Sequence, residues 1–316
     1  MLLSRQILLF GGKGGVGKTT LAAAHALLSA ERGLRTLLVS TDPAHSTGDI
    51  LEADLGPEPR EVLANLWAME IDPAREADLY IQDVKARIAE TTPPRLVSEV
   101  ERQIDIARVT PGAEEAALFE RFTRLMEEAG GRFDRILFDT APLGHTLRLL
   151  SLPEQMASWM SGLIGRRRKM NAMGRMWRRV AGSGAGDANE GDDPVLTALE
   201  DRRARFERAR ETVSDPDRVA FVFVTIPERL PILETQKAVE ALDRYGIPIG
   251  AVYVNRVLPE SGDGGFLERR RERESEYLDL IDAAFGTRSV HRIPLLETDV
   301  HGLDALRRVV AALPEQ

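Results

Sequence analysis

The chain has 316 residues, 43% hydrophobic and 29% charged, which suits either one large α/β domain carrying an insertion or two domains. Its net charge of −8 argues against broad nucleic-acid binding. With no cysteine there can be no disulfide, thiolate metal site, cysteine-ligated cluster or thiol nucleophile.

Ile7-Leu8-Leu9-Phe10 predicts a buried strand, and Leu21 to Leu28 predicts a helix. Between them, Gly12, Gly17, Lys18 and Thr19 satisfy G-x-x-x-x-G-K-[ST]. Strand, glycine-rich turn and helix together form the context of a phosphate-binding loop. Glycines let the backbone wrap a phosphate, and the new helix adds its positive dipole end. The candidate nucleotide-binding residues are therefore Gly12, Lys13, Gly14, Gly15, Val16, Gly17, Lys18, Thr19 and Thr20. Lys18 is the candidate charge between the β- and γ-phosphates, and the Thr19 hydroxyl a candidate Mg²⁺ ligand. Only five residues are lysine, and two of them, Lys13 and Lys18, sit in this loop.

Glu31-Arg32-Gly33 predicts a helix stop. Thr36 to Ser40 reads as the second strand, and it ends in the polar turn Thr41-Asp42-Pro43-Ala44-His45-Ser46. That is the strand end where α/β sheets place ligands. Leu66 to Ile71 predicts a third strand, and residues 74–108 a charged helical stretch broken at Pro93-Pro94. A helix is expected to about Glu128. Then comes the apolar strand Arg135-Ile136-Leu137-Phe138-Asp139, which ends in an acid placed to sit beside Mg²⁺, usually through water. Thr140, Ala141, Pro142, Gly144 and His145 follow as a turn beside the γ-phosphate.

Residues 151–213 differ in character. Leu152, Met156, Trp159, Met160 and Leu163 share one helical face, and Met170, Met173, Met176 and Trp177 form a second stripe after a basic interruption. Five of the eight methionines fall within 156–176, and a glycine-rich polar segment follows at 182–193. An arginine-rich helix is expected from about Val195 to Val213. Strands resume at Val219–Thr225, Gly250–Asn255 and His291–Leu296, separated by helices near 231–245 and 265–285, with a last helix at 300–313. Alternating β and α elements predict an α/β fold, a doubly wound and mostly parallel sheet with an inserted α-helical subdomain. The expected division is an ATPase core at 1–72, 110–150 and 215–316, and a helical subdomain at 73–109 and 151–214. No apolar run approaches the roughly 18 residues of a membrane span. The first strand leaves no room for a leader, so a cytoplasmic protein is expected.

Lys13 makes the loop resemble a deviant Walker A, GKGGVGKTT, as in partition and division-site ATPases, the nitrogenase iron protein, and arsenite-pump and tail-anchored-protein-targeting ATPases. The loop, the stretch Ser40–Ser46, the stretch Asp139–Arg148, Asn255 and Ile293-Pro294-Leu295-Leu296 together resemble the last two, the arsenite-transporter and tail-anchored-protein-targeting ATPase family, over essentially the whole chain. The resemblance implies an ATP hydrolase using ATP and Mg²⁺, held as a homodimer across the nucleotide, with Lys13 reaching the partner's nucleotide. It implies catalytic roles for Asp42, Lys13 and Lys18, with Asp42 orienting the attacking water. Asp42 to Ser46 match the first switch and Asp139 to His145 the second. Asn255, Pro294 and Leu295 match the adenine pocket.

The family's eukaryotic targeting members share a zinc between Cys-x-x-Cys pairs after the asparagine. Here that region reads Phe266-Leu267-Glu268-Arg269-Arg270-Arg271, so no zinc is expected, and thiolate capture of a metalloid is equally impossible. The methionine-rich stripes match a groove that holds client transmembrane helices, because methionine repacks around varied apolar shapes. The same stripes also fit an ordinary core or lid. The leading expectation is capture and release of a hydrophobic client, with a membrane receptor as a further partner. The alternatives are the energising subunit of an arsenite or anion efflux pump and a partition or positioning switch.

Overall fold

The computed structural model describes residues 2–42, 46–91, 113–140, 161–162, 164–165, 168–169, 173, 194–259 and 265–314. Contacts divide the chain into two units. One comprises Met1–Pro73, Arg124–Leu149 and Thr212–Gln316, the other Ala74–Thr123 and Leu150–Glu211.

The first unit is built on an eight-stranded sheet in the order β3-β4-β2-β5-β1-β6-β7-β8. The strands are β1 (Ile7–Gly12), β2 (Thr36–Ser40), β3 (Arg60–Leu63), β4 (Leu66–Glu70), β5 (Arg135–Asp139), β6 (Val219–Thr225), β7 (Ile249–Val257) and β8 (Val290–Pro294). Every pairing is parallel except β3 with β4. The four central strands β2, β5, β1 and β6 are buried along their whole length. Strands covered on both faces lose the alternation of polar and apolar residues, and these sequences are accordingly near-continuous apolar runs. β3 was not evident from its sequence. Arg60-Glu61-Val62-Leu63 is half polar because it is an edge strand, and Asn65 makes the reversal into β4 with φ of 64°.

The helices of this unit are α1 (Lys18–Glu31), the short α2 (Ser46–Leu51), α6 (Arg229–Tyr245), α7 (Gly265–Phe285) and α8 (Gly302–Ala312); α5 (Pro194–Val213) ends at the unit boundary. α1 packs into the core through an alanine- and leucine-rich face, with Leu21, Ala24 and Leu27 fully buried. It stops where expected: Gly33 N–H donates to the Ala30 carbonyl at 2.9 Å and Leu34 N–H to the Ser29 carbonyl at 3.1 Å. Arg135, 1% exposed at the start of β5, donates to the Leu2 and Arg5 carbonyls and to the Ser29 hydroxyl, tying the N-terminal turn, α1 and the sheet together.

The second unit is helical where it is described. It contains α3 (Pro73–Thr91) from Ala74, α4 (Ala113–Glu127) up to Thr123, and α5 up to Glu211. Phe119 packs against Phe122 and Phe206, and Ala77, Ile81, Ile164 and Ala209 are also buried. Glu120, 4% exposed, is neutralised by Arg205. Among the described residues, no helix is long and apolar enough to cross a membrane.

Candidate functional site

The register of the parallel strands gathers the candidate residues on one edge of the sheet. Asp139 pairs with Phe10 on one side and Ser40 on the other, and Ser40 pairs with Glu70. The carboxyl ends of β4, β2, β5 and β1 therefore lie side by side. β1 is also the point where the chain changes direction across the sheet, with β2 and β5 to one side and β6 to the other. That switch point is where an open α/β sheet forms its ligand crevice.

The loop leaves β1 at Gly12. A Cβ on Gly12 would lie 2.2 Å from the Val224 carbonyl oxygen, so only glycine lets the loop start against β6. Gly17 precedes α1 with φ of 96° and ψ of 29°, a left-handed conformation that costs other residues strain. Lys18 is 4% exposed and its Nζ is 3.4 Å from the Lys13 carbonyl oxygen, so the ammonium is folded back into the turn. Lys13 behaves differently. Its Nζ donates to Glu234 Oε1 on α6 at 2.9 Å, and both side chains are partly exposed. Glu234 was not foreseen; a single glutamate in a charged helix carries no signal in the sequence.

Asp139 is completely buried, and among the described residues neither carboxylate oxygen has a hydrogen bond of normal geometry. Burial pushes its pKa up to about 7; the Thr19 hydroxyl and the Lys18 ammonium oppose that shift, and the charges of Asp42 and Glu70 add to it. A buried carboxylate beside a threonine hydroxyl and among other acids is a donor set that fits a hard divalent cation. Asp42 sits partly buried just beyond β2, its N–H donating to Ser40 Oγ at 3.3 Å. Glu70 is the second residue not foreseen. It accepts the Gly48 N–H at 2.8 Å and so links the end of β4 to α2. Thr140 donates from both its N–H and its hydroxyl to the Phe10 carbonyl, which fixes the residue after β5 against β1.

On the other side of β1, Asn255 is partly buried near the end of β7. Its Nδ2 donates to the Val16 carbonyl at 2.8 Å. Pro294 pairs with Val257, and Leu295 N–H donates to the Val257 carbonyl at 2.8 Å, so Asn255, Pro294 and Leu295 share one corner of the sheet edge. The structure thus brings together the loop, Asp42, Asp139, Thr140, Asn255, Pro294 and Leu295.

Pro43, Ala44, His45, Ala141, Pro142, Gly144 and His145 lie outside the described residues, and Ser46 is described only as the start of α2. Leu152, Met156, Trp159, Met160, Leu163, Met170, Met176 and Trp177 also lie outside them. Met173 is described: it is helical and 58% exposed.

The family described as anion-transporting ATPase matches residues 5–315. A relative in Aquifex aeolicus, named as an arsenical pump-driving ATPase, is 32% identical over 309 residues, 98% of this chain and 99% of that protein. ATPase GET3A of Arabidopsis thaliana is 32% identical over 301 residues, 94% of this chain and 80% of that protein. An arsenical pump-driving ATPase of Halobacterium salinarum is 37% identical over 308 residues; the match covers 95% of this chain but only 43% of that longer protein. The sheet order, the phosphate-loop geometry and these matches agree: the chain belongs to the anion-transporting ATPase family and is an ATP hydrolase.

Proposed function

We propose that this ATPase works as a nucleotide-bridged homodimer that captures and releases a hydrophobic client, namely the transmembrane segment of a tail-anchored membrane protein. The loop Gly12–Thr20 holds the phosphates of ATP and Asn255, Pro294 and Leu295 hold its base. Gly14 supports the phosphate reading: its φ is not positive and a Cβ there would meet nothing within 4 Å, so among the described residues no contact calls for glycine. Thr19 and Asp139 are the residues that would hold Mg²⁺, whose chemistry is to neutralise charge on the phosphoryl oxygens. Lys18 places a fixed positive charge beside them in a site with little water, where it acts strongly. Asp42 orients the attacking water, which phosphoryl transfer needs more than it needs a strong base. Lys13 is drawn from Glu234 to the partner's nucleotide as the dimer closes. Leu230 and Leu233, 62% and 43% exposed on the same turn of α6 as Glu234, supply apolar surface beside that lysine.

The client reading is carried by Met173, a large apolar side chain 58% exposed on a helix, in a stretch that holds five of the eight methionines. A second reading, the energising subunit of an anion pump, is favoured by the family's description and by the names of the Aquifex and Halobacterium relatives. The absence of cysteine removes thiolate ligation of a metalloid from that reading.

Co-expression with a protein ending in an apolar helix of about 20 residues, and with a control carrying charges in that helix, separates the two. The expected result is co-purification of the apolar tail alone, with Asp42→Asn retaining it in ATP. Retention of neither tail, together with stimulation of the ATPase by an oxyanion, would establish the pump reading instead.

A further inference from the structure

Among the described residues Asn255 makes two hydrogen bonds inside the protein. Its Nδ2 donates to the Val16 carbonyl at 2.8 Å, and its Oδ1 accepts the Arg256 N–H at 2.9 Å. The first bond joins β7 to the middle of the phosphate loop. The second caps a strained residue: Arg256 has φ of 59°, the left-handed region that a side chain disfavours. Gly17 is fitted to the same contact, since a Cβ there would lie 2.3 Å from Asn255 Nδ2. The amide therefore sits between two left-handed residues, one at the end of the loop and one in the strand, and bonds to a neighbour of the first and to the second.

The peptide unit gives this contact a direction. A trans peptide is planar, with its C=O and N–H pointing opposite ways. Holding the Val16 carbonyl toward β7 therefore turns the Gly17 N–H away from β7. Gly17 N–H is one of the donors that a phosphate loop aims at its ligand.

We propose that Asn255 is a positioning residue for the phosphate loop: through the Val16 carbonyl it sets the direction of the Gly17 N–H. A carboxamide has two N–H donors and two acceptor lone pairs, so using one of each on the protein leaves one of each for a base edge. The same side chain then couples occupation of the base corner to the shape of the phosphate corner. The inference rests on the nucleotide-site assignment made under Proposed function.

The test is binding of a phosphate ligand that has no base. Isothermal calorimetry would compare Mg²⁺–ATP with Mg²⁺–tripolyphosphate on wild type, Asn255→Asp and Asn255→Ala, with thermal melts of each. Asn255→Asp keeps the acceptor for Arg256 N–H but replaces the donor to Val16 by an acceptor and adds a negative charge beside the loop. The uncharged Asn255→Ala, which removes the donor without adding charge, therefore carries the decision. The expected result is a loss of about ten-fold or more in tripolyphosphate affinity for both variants, with melting points near that of wild type. Variants that bind tripolyphosphate as wild type does, but lose ATP, would overturn the proposal and leave Asn255 as a base reader alone. Failure of both variants to fold would also overturn it, because a loop strut leaves the sheet intact. Failure of wild type to bind either ligand would instead refute the nucleotide-site assignment.

Discussion

His25 lies in α1 with no exposed surface, its Nε2 3.0 Å from the Tyr253 hydroxyl and its ring against Phe10. Burial lowers its pKa from 6.5 to about 3, and the charges of Arg135 and His291 add to the effect. The folded state holds this imidazole neutral while the unfolded chain protonates it near the ordinary value. Its contribution to stability is therefore complete above pH 6.5 and is lost as pH falls toward 3. One proton bound only by the unfolded chain corresponds to about 1.4 kcal/mol per pH unit. His25→Gln, which keeps an amide donor for Tyr253 and does not titrate, is expected to lose that much less per pH unit on acidification. Urea unfolding at several pH values between about 6 and 4 checks the slope. A lone histidine inside the predicted helix carried no hint of this, because Tyr253 is 228 residues away.

At the scale of elements, the start of the phosphate loop depends on the spacing between β1 and β6. Gly12 pairs with Val224, and the Val224 carbonyl occupies the place a side chain would need. Gly12→Ala forces the two strands apart at the mouth of the loop. The expected cost is about 1–3 kcal/mol in stability, as for other overpacked sites. The accompanying fall in ATPase rate is on the order of a hundred-fold, because the loop's donors move off target. Urea unfolding and phosphate release measure the two separately. The central strands and their helices were legible in the sequence, since strands buried on both faces read as unbroken apolar runs and α1 ends in a recognisable glycine stop. β3 was not legible, because an edge strand has no need of that pattern.

For the whole molecule, the Lys13–Glu234 ion pair holds in one chain a lysine that the proposed mechanism sends to the partner. An exposed pair of this kind contributes up to about 1 kcal/mol. Glu234→Gln frees the lysine and is expected to lower the ATP concentration for half-maximal dimer formation by up to about five-fold. Lys13→Ala is expected to abolish ATP-dependent dimers while ATP still binds through Lys18. Sedimentation velocity across an ATP titration gives both results; a Glu234→Gln curve superimposed on that of wild type would show that the pair restrains nothing.

The sequence by itself determined the glycine-rich loop between strand and helix, the acid-terminated strand, the alternation of strands and helices and the family, because each is local: a spacing, an apolar run or a short motif with its neighbours. It also excluded thiolate chemistry, since composition needs no fold. Only the tertiary structure decided that Asp139 is completely buried, that Glu70 anchors α2 and Glu234 pairs with Lys13, and that Asn255 bonds to the glycine-rich loop. Those facts depend on strand order and register. β1 lies between β5 and β6, and β7 follows β6, so residues more than 200 positions apart meet at one sheet edge.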